Sequence, residues 1–189
     1  MKRLFVLLLA LTMVLGLCAC GNSPKASSIT IDQFEEEMSL VLRDDAKFTK
    51  REDKDGYSIT CNTSYVNSDL VITGKTDKKE HLYLVSTKLS DAFDMKYLRS
   101  LDVNQVGEDI IDWRNVPMNK LACSFYVMQC AGMVSALSSN LPDGATDQFG
   151  TISIVFDAMK ENTTFAGWEY SFDFDEDNDA ATFNAAYVG

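Results

Sequence analysis

Residues 121–141, LACSFYVMQCAGMVSALSSNL, contain no charged side chain. A helix that is apolar on nearly all sides is either buried at the centre of a protein or spans a membrane. Pro117, just before the run, suits the first turn of a helix, and Gly132 allows a neighbour to approach closely. Several polar residues make a membrane span a poor interpretation: Ser124, Gln129, Ser135, Ser138, Ser139 and Asn140. We therefore predict a central packing helix from Pro117 to about Ser138.

A second helix is predicted nearer the start of the chain. Thr30 and Gln33 have the spacing of a capping box, with Ile29 and Phe34 placed as a hydrophobic staple. Apolar residues then recur at helical spacing, at Ile31, Phe34, Met38, Val41 and Leu42. We expect residues 43–45 (Arg-Asp-Asp) to close this helix.

From residue 47 to residue 89 the apolar period changes from that of a helix to two. Tyr57, Ile59 and Cys61 alternate with polar neighbours, and turn sequences lie at residues 55–56 and 75–79. This pattern predicts an antiparallel meander of three or four strands.

The remaining segments complete a mixed fold. Residues 168–174 alternate apolar and polar side chains and predict a hairpin with residues 182–188, with an acidic bend at residues 173–179. Residues 149–159 fit a helix, although their β-branched residues leave a strand open. Residues 91–114 have interrupted helical spacing, and Trp113 is expected to cover an edge of the core. The predicted class is α+β: an antiparallel β-meander packed with an N-terminal helix and the apolar central helix, followed by a C-terminal β-hairpin.

The first residues of the chain resemble a targeting signal. Lys2 and Arg3 precede fourteen uncharged residues, 4–17, a run too short to cross a hydrocarbon core that needs about 20 apolar residues. The tetrad Leu17-Cys18-Ala19-Cys20 resembles the lipobox of bacterial lipoproteins, and the following Gly-Asn-Ser is similar to the Gram-positive type. This resemblance implies cleavage before Cys20, attachment of a diacylglyceryl group to its thiol, and anchoring at the extracytoplasmic face of the cell membrane.

Alternatives to this interpretation are an ordinary cleaved signal or a chance apolar start. Cys18 is a competing acceptor, but the bulky Leu17 before it favours Cys20. The chain is therefore expected to divide into a signal peptide (residues 1–19), a lipidated cysteine with a flexible tether (20–28) and one α+β domain (29–189).

The charge distribution excludes some classes of partner. The chain has 17 basic and 28 acidic residues, and its formal net charge is −11. Such a surface makes nucleic acid an improbable partner, since nucleic-acid binding depends on neutralising phosphates with basic side chains. Residues 121–189 contain ten acidic residues and a single base, Lys160. This acidic third indicates either a solvated surface or an affinity for cations or a basic partner.

Three cysteines lie in the expected domain. Cys123 and Cys130, if on one helix, are separated by about 10.5 Å along its axis, too far for a disulfide. Cys61 could pair with either of them, but buried free thiols are the favoured interpretation. Without a Cys-x-x-Cys motif, and with one histidine in the chain, a zinc site is improbable.

Few residues suggest chemistry. His81, the single histidine, lies in a predicted strand without a nucleophile motif, and is interpreted as a solvated side chain. Asp173, Asp175 and Asp177 are weak metal candidates, because the glycine and glutamate of a calcium loop are missing from the required positions. No nucleotide- or cofactor-binding motif is present, so no cofactor is expected.

These observations favour a membrane-anchored, non-catalytic binding or interaction module for an unknown protein or small-molecule ligand. The first alternative is a small surface hydrolase that uses carboxylates, and the second is an accessory subunit of an exported or membrane complex. A buried pair of acids in a cleft favours the hydrolase, whereas an exposed aromatic patch without such a pair favours binding.

Overall fold

In a computed structural model, residues 25–42, 46–65, 68–141 and 148–189 of the chain are described. These residues form one antiparallel sheet of seven strands and five helices. The strands are β1 (Phe48–Asp53), β2 (Gly56–Tyr65), β3 (Ser68–Thr76), β4 (Leu82–Ser90), β5 (Thr163–Phe165), β6 (Trp168–Asp175) and β7 (Ala180–Tyr187). The helices are α1 (Ile31–Ser39), α2 (Met95–Ser100), α3 (Val103–Ile111), α4 (Met118–Leu137) and α5 (Gln148–Lys160). The predicted α+β class and its four parts are confirmed.

The sheet has the strand order β1-β2-β3-β4-β7-β6-β5. Leu70, Ile72 and Gly74 of β3 are buried, whereas Asp69, Thr73 and Lys75, at the alternate positions of the strand, are exposed. Because side chains alternate between the two faces of a strand, the helices cover one face of the sheet and the other face meets solvent.

Helix α1 begins as predicted and ends earlier. The Gln33 amide N–H donates to Thr30 Oγ1 over 3.3 Å, and Thr30 N–H donates to Gln33 Oε1 over 3.0 Å, which completes the capping box. The helix ends at Ser39, so the prediction that Val41 continues its apolar stripe is wrong. Residues 43–45, expected to close the helix, lie outside the described residues.

Helix α4 is the centre of the helical layer. Thirteen of its twenty residues are buried, and they include residues on every side of the helix. It packs against α1, α3 and α5. Among the described helices, α4 alone is long and apolar enough to cross a membrane, yet 72% of that window is buried inside the protein. The predicted central packing role is confirmed.

Residues 91–114 form two short helices. Asp94 caps α2 by accepting from Tyr97 N–H over 2.9 Å, and Asp102 caps α3 by accepting from Gln105 N–H over 2.9 Å. Residues 149–159, for which a strand was left open, lie in helix α5. Trp113 is 51% exposed, so the prediction that it covers an edge of the core is wrong. Helix α3 ends at Ile111, before Trp113. In the loop to α4, the Arg114 guanidinium lies 5.2 Å from the centre of the Trp113 ring.

The C-terminal hairpin and the meander form one sheet. Strand β7 pairs with β4 in the register Thr87↔Phe183, and β6 and β5 follow at the edge. Neither this junction nor β5 is evident from the sequence.

The molecule has a proximal end and a distal end. The proximal end is where the first described residues join the packed domain. There Ser27 N–H donates to the Leu82 carbonyl over 2.8 Å, and Asn140 Nδ2 donates to Ser28 Oγ over 2.8 Å. Ser27, inside the segment predicted as a tether, is buried, so the packed chain begins before Ile29. The distal end contains the end of β4, helices α2 and α3, and the start of α4. Helix α4 joins the two ends over about 30 Å at 1.5 Å per residue.

Candidate functional site

The predicted site residues do not form a metal centre among the described residues. Cys20 lies outside the described residues. The Asp173 carboxylate accepts from Asn184 Nδ2 over 2.9 Å. Asp175 accepts from both Asn178 Nδ2 (2.7 Å) and Asn178 N–H (3.1 Å), which lowers the pKa of its carboxyl. Asp177 is exposed in the same turn, and within the described ranges no three potential ligands come together around a metal position.

His81 belongs to the turn between β3 and β4. Its Nδ1 lies 3.4 Å from Asp77 Oδ2, while Asp77 Oδ1 accepts from the backbone N–H groups of Lys79 (2.8 Å) and His81 (2.9 Å). The carboxylate therefore stabilises the turn, and the imidazole packs beside it at the proximal end.

Asp109 of α3 is the one buried acidic side chain in the described part of the molecule, with 3% of its surface exposed. Its Oδ2 accepts hydrogen bonds from the Tyr97 hydroxyl (2.7 Å) and from the Ser124 hydroxyl, and its Oδ1 accepts from Gln105 Nε2 (3.0 Å). Burial and the adjacent carboxylate raise the pKa of Tyr97, so the phenol stays a donor. The three donors satisfy the buried carboxylate, and this cluster ties α2, α3 and α4 together.

The three cysteines of the domain are free and buried, as favoured from the sequence. Burial raises the pKa of all three thiols, in the case of Cys123 to about 12. The Cys123 thiol lies 3.3 Å from the carbonyl oxygens of Asp94 and Asn119. Since the thiolate is the reactive form, these side chains are suited to packing and poorly suited to nucleophilic attack.

A groove of about 300 Å³ opens at the distal end, between the end of α2, the last turn of α5 and the end of β6. It is lined by Arg99, Leu101, Phe156, Met159, Lys160 and Phe174. Leu101 and Phe156 are buried at its base, and Met159 and Phe174 are half-buried at its sides. This apolar floor can hold a hydrocarbon or aromatic group.

Two cations flank this distal groove. The Arg99 guanidinium lies 4.6 Å from the centre of the Phe174 ring and donates to Glu176 Oε1 over 2.7 Å. Lys160 Nζ is 3.5 Å from Asp157 Oδ1. Both ion pairs are at the surface, where such pairs contribute at most about 1 kcal/mol. The two cationic groups are therefore available to a ligand at little cost.

A smaller cleft of about 140 Å³ lies at the proximal end, beside the point where the chain enters. Ser27, Ser138 and Asn140 supply polar atoms to it, and Trp168 and Tyr187 supply aromatic surface. The Trp168 and Tyr187 rings meet edge to face at 5.3 Å, and Lys25 lies 6.0 Å from the Tyr187 ring. This cleft lies where the first described residues of the chain pack beside the end of β7.

Comparison with known proteins assigns this chain to no family. No protein-family model matches the chain, and neither the curated proteins nor the solved structures gave a match.

Sequence reasoning did not find the distal groove. Its lining comes from residues 99–101, 156–160 and 174, and these segments meet only when α5 packs across the end of the sheet. The one available signal was Lys160, the single base of the acidic third of the chain.

Proposed function

We propose that this chain is a lipid-anchored extracytoplasmic protein that acts as a non-catalytic binding module and holds a small ligand in the distal groove. The anchor rests on the resemblance of residues 1–23 to a lipoprotein signal. The binding role rests on the apolar floor and cationic rim of the groove. A ligand there is presented at the end of the molecule opposite the entering chain.

The buried acid supports binding over carboxylate-based hydrolysis. Glycoside hydrolysis needs two carboxyl groups about 5–9.5 Å apart on either side of a substrate. In the described residues Asp109 is a single buried acid, its oxygens are occupied by three donors, and it does not line the distal groove.

A specific observation also favours the accessory-subunit alternative. The eight residues from the end of α3 to the start of α4 include three exposed apolar side chains. Ile111, Trp113 and Met118 are 85%, 51% and 57% exposed. Exposed apolar groups clustered in this way mark interaction surfaces. In that case the corner of α3 and α4 contacts a protein partner.

The groove is tested by titrating the full chain, in nanodiscs of zwitterionic lipid, with octanol as a neutral amphiphile. Methyl NMR of labelled methionines reports the site, because Met159 lines the groove and Met118 is exposed elsewhere. We expect the Met159 methyl signal to shift saturably while Met118 does not.

The variant Phe174→Gln should weaken this binding by about fivefold or more, since an aromatic ring at the side of the groove is replaced by an amide. Phe165→Gln is the matched control, because Phe165 is also half-buried but lies on β5 at the proximal end of the sheet. A non-saturating shift, or equal shifts of Met159 and Met118, contradicts a binding site in the groove.

A further inference from the structure

We infer that the ligand of the distal groove is a small amphiphile with one carboxylate, its apolar tail on the floor and its carboxylate between Arg99 and Lys160. This inference rests on the proposed function and adds the chemical class of the ligand. It follows from the arrangement of two cations around one apolar cavity.

The floor selects an apolar tail of modest size. Leu101 and Phe156 are 7% and 8% exposed, so the base of the groove is formed by packed hydrocarbon and aromatic surface. Met159, with a flexible and polarizable side chain, can adapt to the shape of the tail. The volume of about 300 Å³ is at the lower limit of small-molecule sites, which excludes a bulky ligand.

The rim selects an anionic head group. The Arg99 guanidinium lies over the Phe174 ring, 4.6 Å from its centre, and a guanidinium presents a planar fork of N–H donors that matches a carboxylate. Its present partner, Glu176, has 70% of its side chain exposed and shows that a carboxylate fits this position at 2.7 Å. A ligand carboxylate can replace that of Glu176, which then returns to solvent.

Lys160 provides the second positive charge on the rim. Its side chain is 75% exposed, and its partner Asp157 is 58% exposed, so the ammonium group is free to swing toward the groove. The surrounding acids, Glu176, Asp157 and Asp177, make a cationic amphiphile the competing class of ligand. They lie at the surface, however, where water and salt screen them, and the two cations line the cavity itself.

Three probes with the same eight-carbon alkyl tail distinguish these classes: nonanoate, octanol and octyltrimethylammonium. Each is titrated into the full chain in zwitterionic nanodiscs, and the Met159 methyl signal gives a local dissociation constant. We expect nonanoate to bind about threefold more tightly than octanol, the effect of one exposed ion pair, and octyltrimethylammonium to bind most weakly.

The variants Arg99→Gln and Lys160→Gln should each reduce the ratio of nonanoate affinity to octanol affinity toward one, because each removes a rim charge that pairs only with the carboxylate. Arg114→Gln and Lys96→Gln are matched controls that remove the same kinds of charge outside the groove, and should keep the ratio of the parent chain. Equal binding of nonanoate and octanol, or tighter binding of octyltrimethylammonium, overturns the carboxylate assignment and leaves the binding site intact. Failure of all three probes to shift Met159 saturably overturns the proposed function as well.

Discussion

Two buried tyrosines show how much a single hydroxyl group depends on its surroundings. Tyr126 reaches from α4 to the junction of β4 and β7, where its hydroxyl lies 2.7 Å from the Thr87 carbonyl and accepts from Phe183 N–H over 3.0 Å. The hydroxyl of Tyr170 on β6 is equally buried, but it has no partner among the described residues. Burial raises the pKa of both phenols, so both stay protonated at neutral pH.

The two tyrosines should therefore respond differently to loss of the hydroxyl. Tyr126→Phe removes the buried hydroxyl that contacts the Thr87 and Ala181 carbonyls and accepts from Phe183 N–H, and should lower the free energy of unfolding by about 1–3 kcal/mol. Tyr170→Phe removes an unpaired polar atom and should leave stability unchanged or slightly higher. Urea denaturation of the two variants measures the difference. A loss in Tyr170→Phe as large as that in Tyr126→Phe would mean that the Tyr170 hydroxyl is paired in solution.

At this scale the sequence predicted local contacts and missed distant ones. The capping box joins Thr30 to Gln33, residues three apart, and its spacing can be read from the chain. Gln105 lies four residues before Asp109 on α3, a helical spacing that can be read from the chain. Tyr97 and Ser124, however, lie on α2 and α4, and no spacing rule connects them to Asp109. The same holds for Arg99 and Lys160, which is why the groove was not predicted.

At the level of elements, two glycines occupy opposite environments within helices. A methyl group on Gly132 of α4 would lie 2.6 Å from a Val41 methyl, so this glycine allows the segment after α1 to pack closely on the central helix, as the sequence predicted. A methyl group on Gly107 of α3 would meet nothing within 4 Å.

Alanine substitution should thus have opposite effects at the two positions. Gly107→Ala gains helix propensity without a clash and should stabilise by about 0.5–1 kcal/mol. At Gly132 the same gain is outweighed by the contact with Val41, and we expect a net loss of about 1 kcal/mol. Thermal unfolding measures both effects. If the contact is the cause, Gly132→Ala should cost less in a Val41→Ala background, and an unchanged cost would point to another neighbour.

The elements themselves were predicted best where their periodicity was strong. The apolar run that becomes α4 and the alternation that becomes β2, β3 and β4 both gave the correct element. The short helices α2 and α3 were not resolved, because six to nine residues carry little periodic signal. The end of α1 was misjudged because Val41 and Leu42 keep the helical spacing after the helix has stopped.

At the scale of the whole molecule, the proposed lipid on Cys20 would set the distance between the distal groove and the membrane. Lys25 is the first described residue, and four residues separate it from Cys20. Five fully extended residue steps span at most about 18 Å. A lipid on Cys20 would therefore hold the proximal end near the head groups and leave the groove about 30 Å farther out, at the other end of α4.

We expect Cys20 to carry this lipid. Metabolic labelling with a fatty-acid analogue should give a labelled protein from the parent chain and from Cys18→Ser, and no label in Cys20→Ala, because only Cys20 follows a small residue in the lipobox-like tetrad. Cys61, Cys123 and Cys130 serve as internal controls, since buried thiols with raised pKa values are poor acceptors in the folded domain. A label retained in Cys20→Ala but lost in Cys18→Ser would assign the lipid to Cys18. Absence of label from the parent chain would remove the anchor from the proposed function, and binding in the distal groove would then have to be judged by the methionine signals alone.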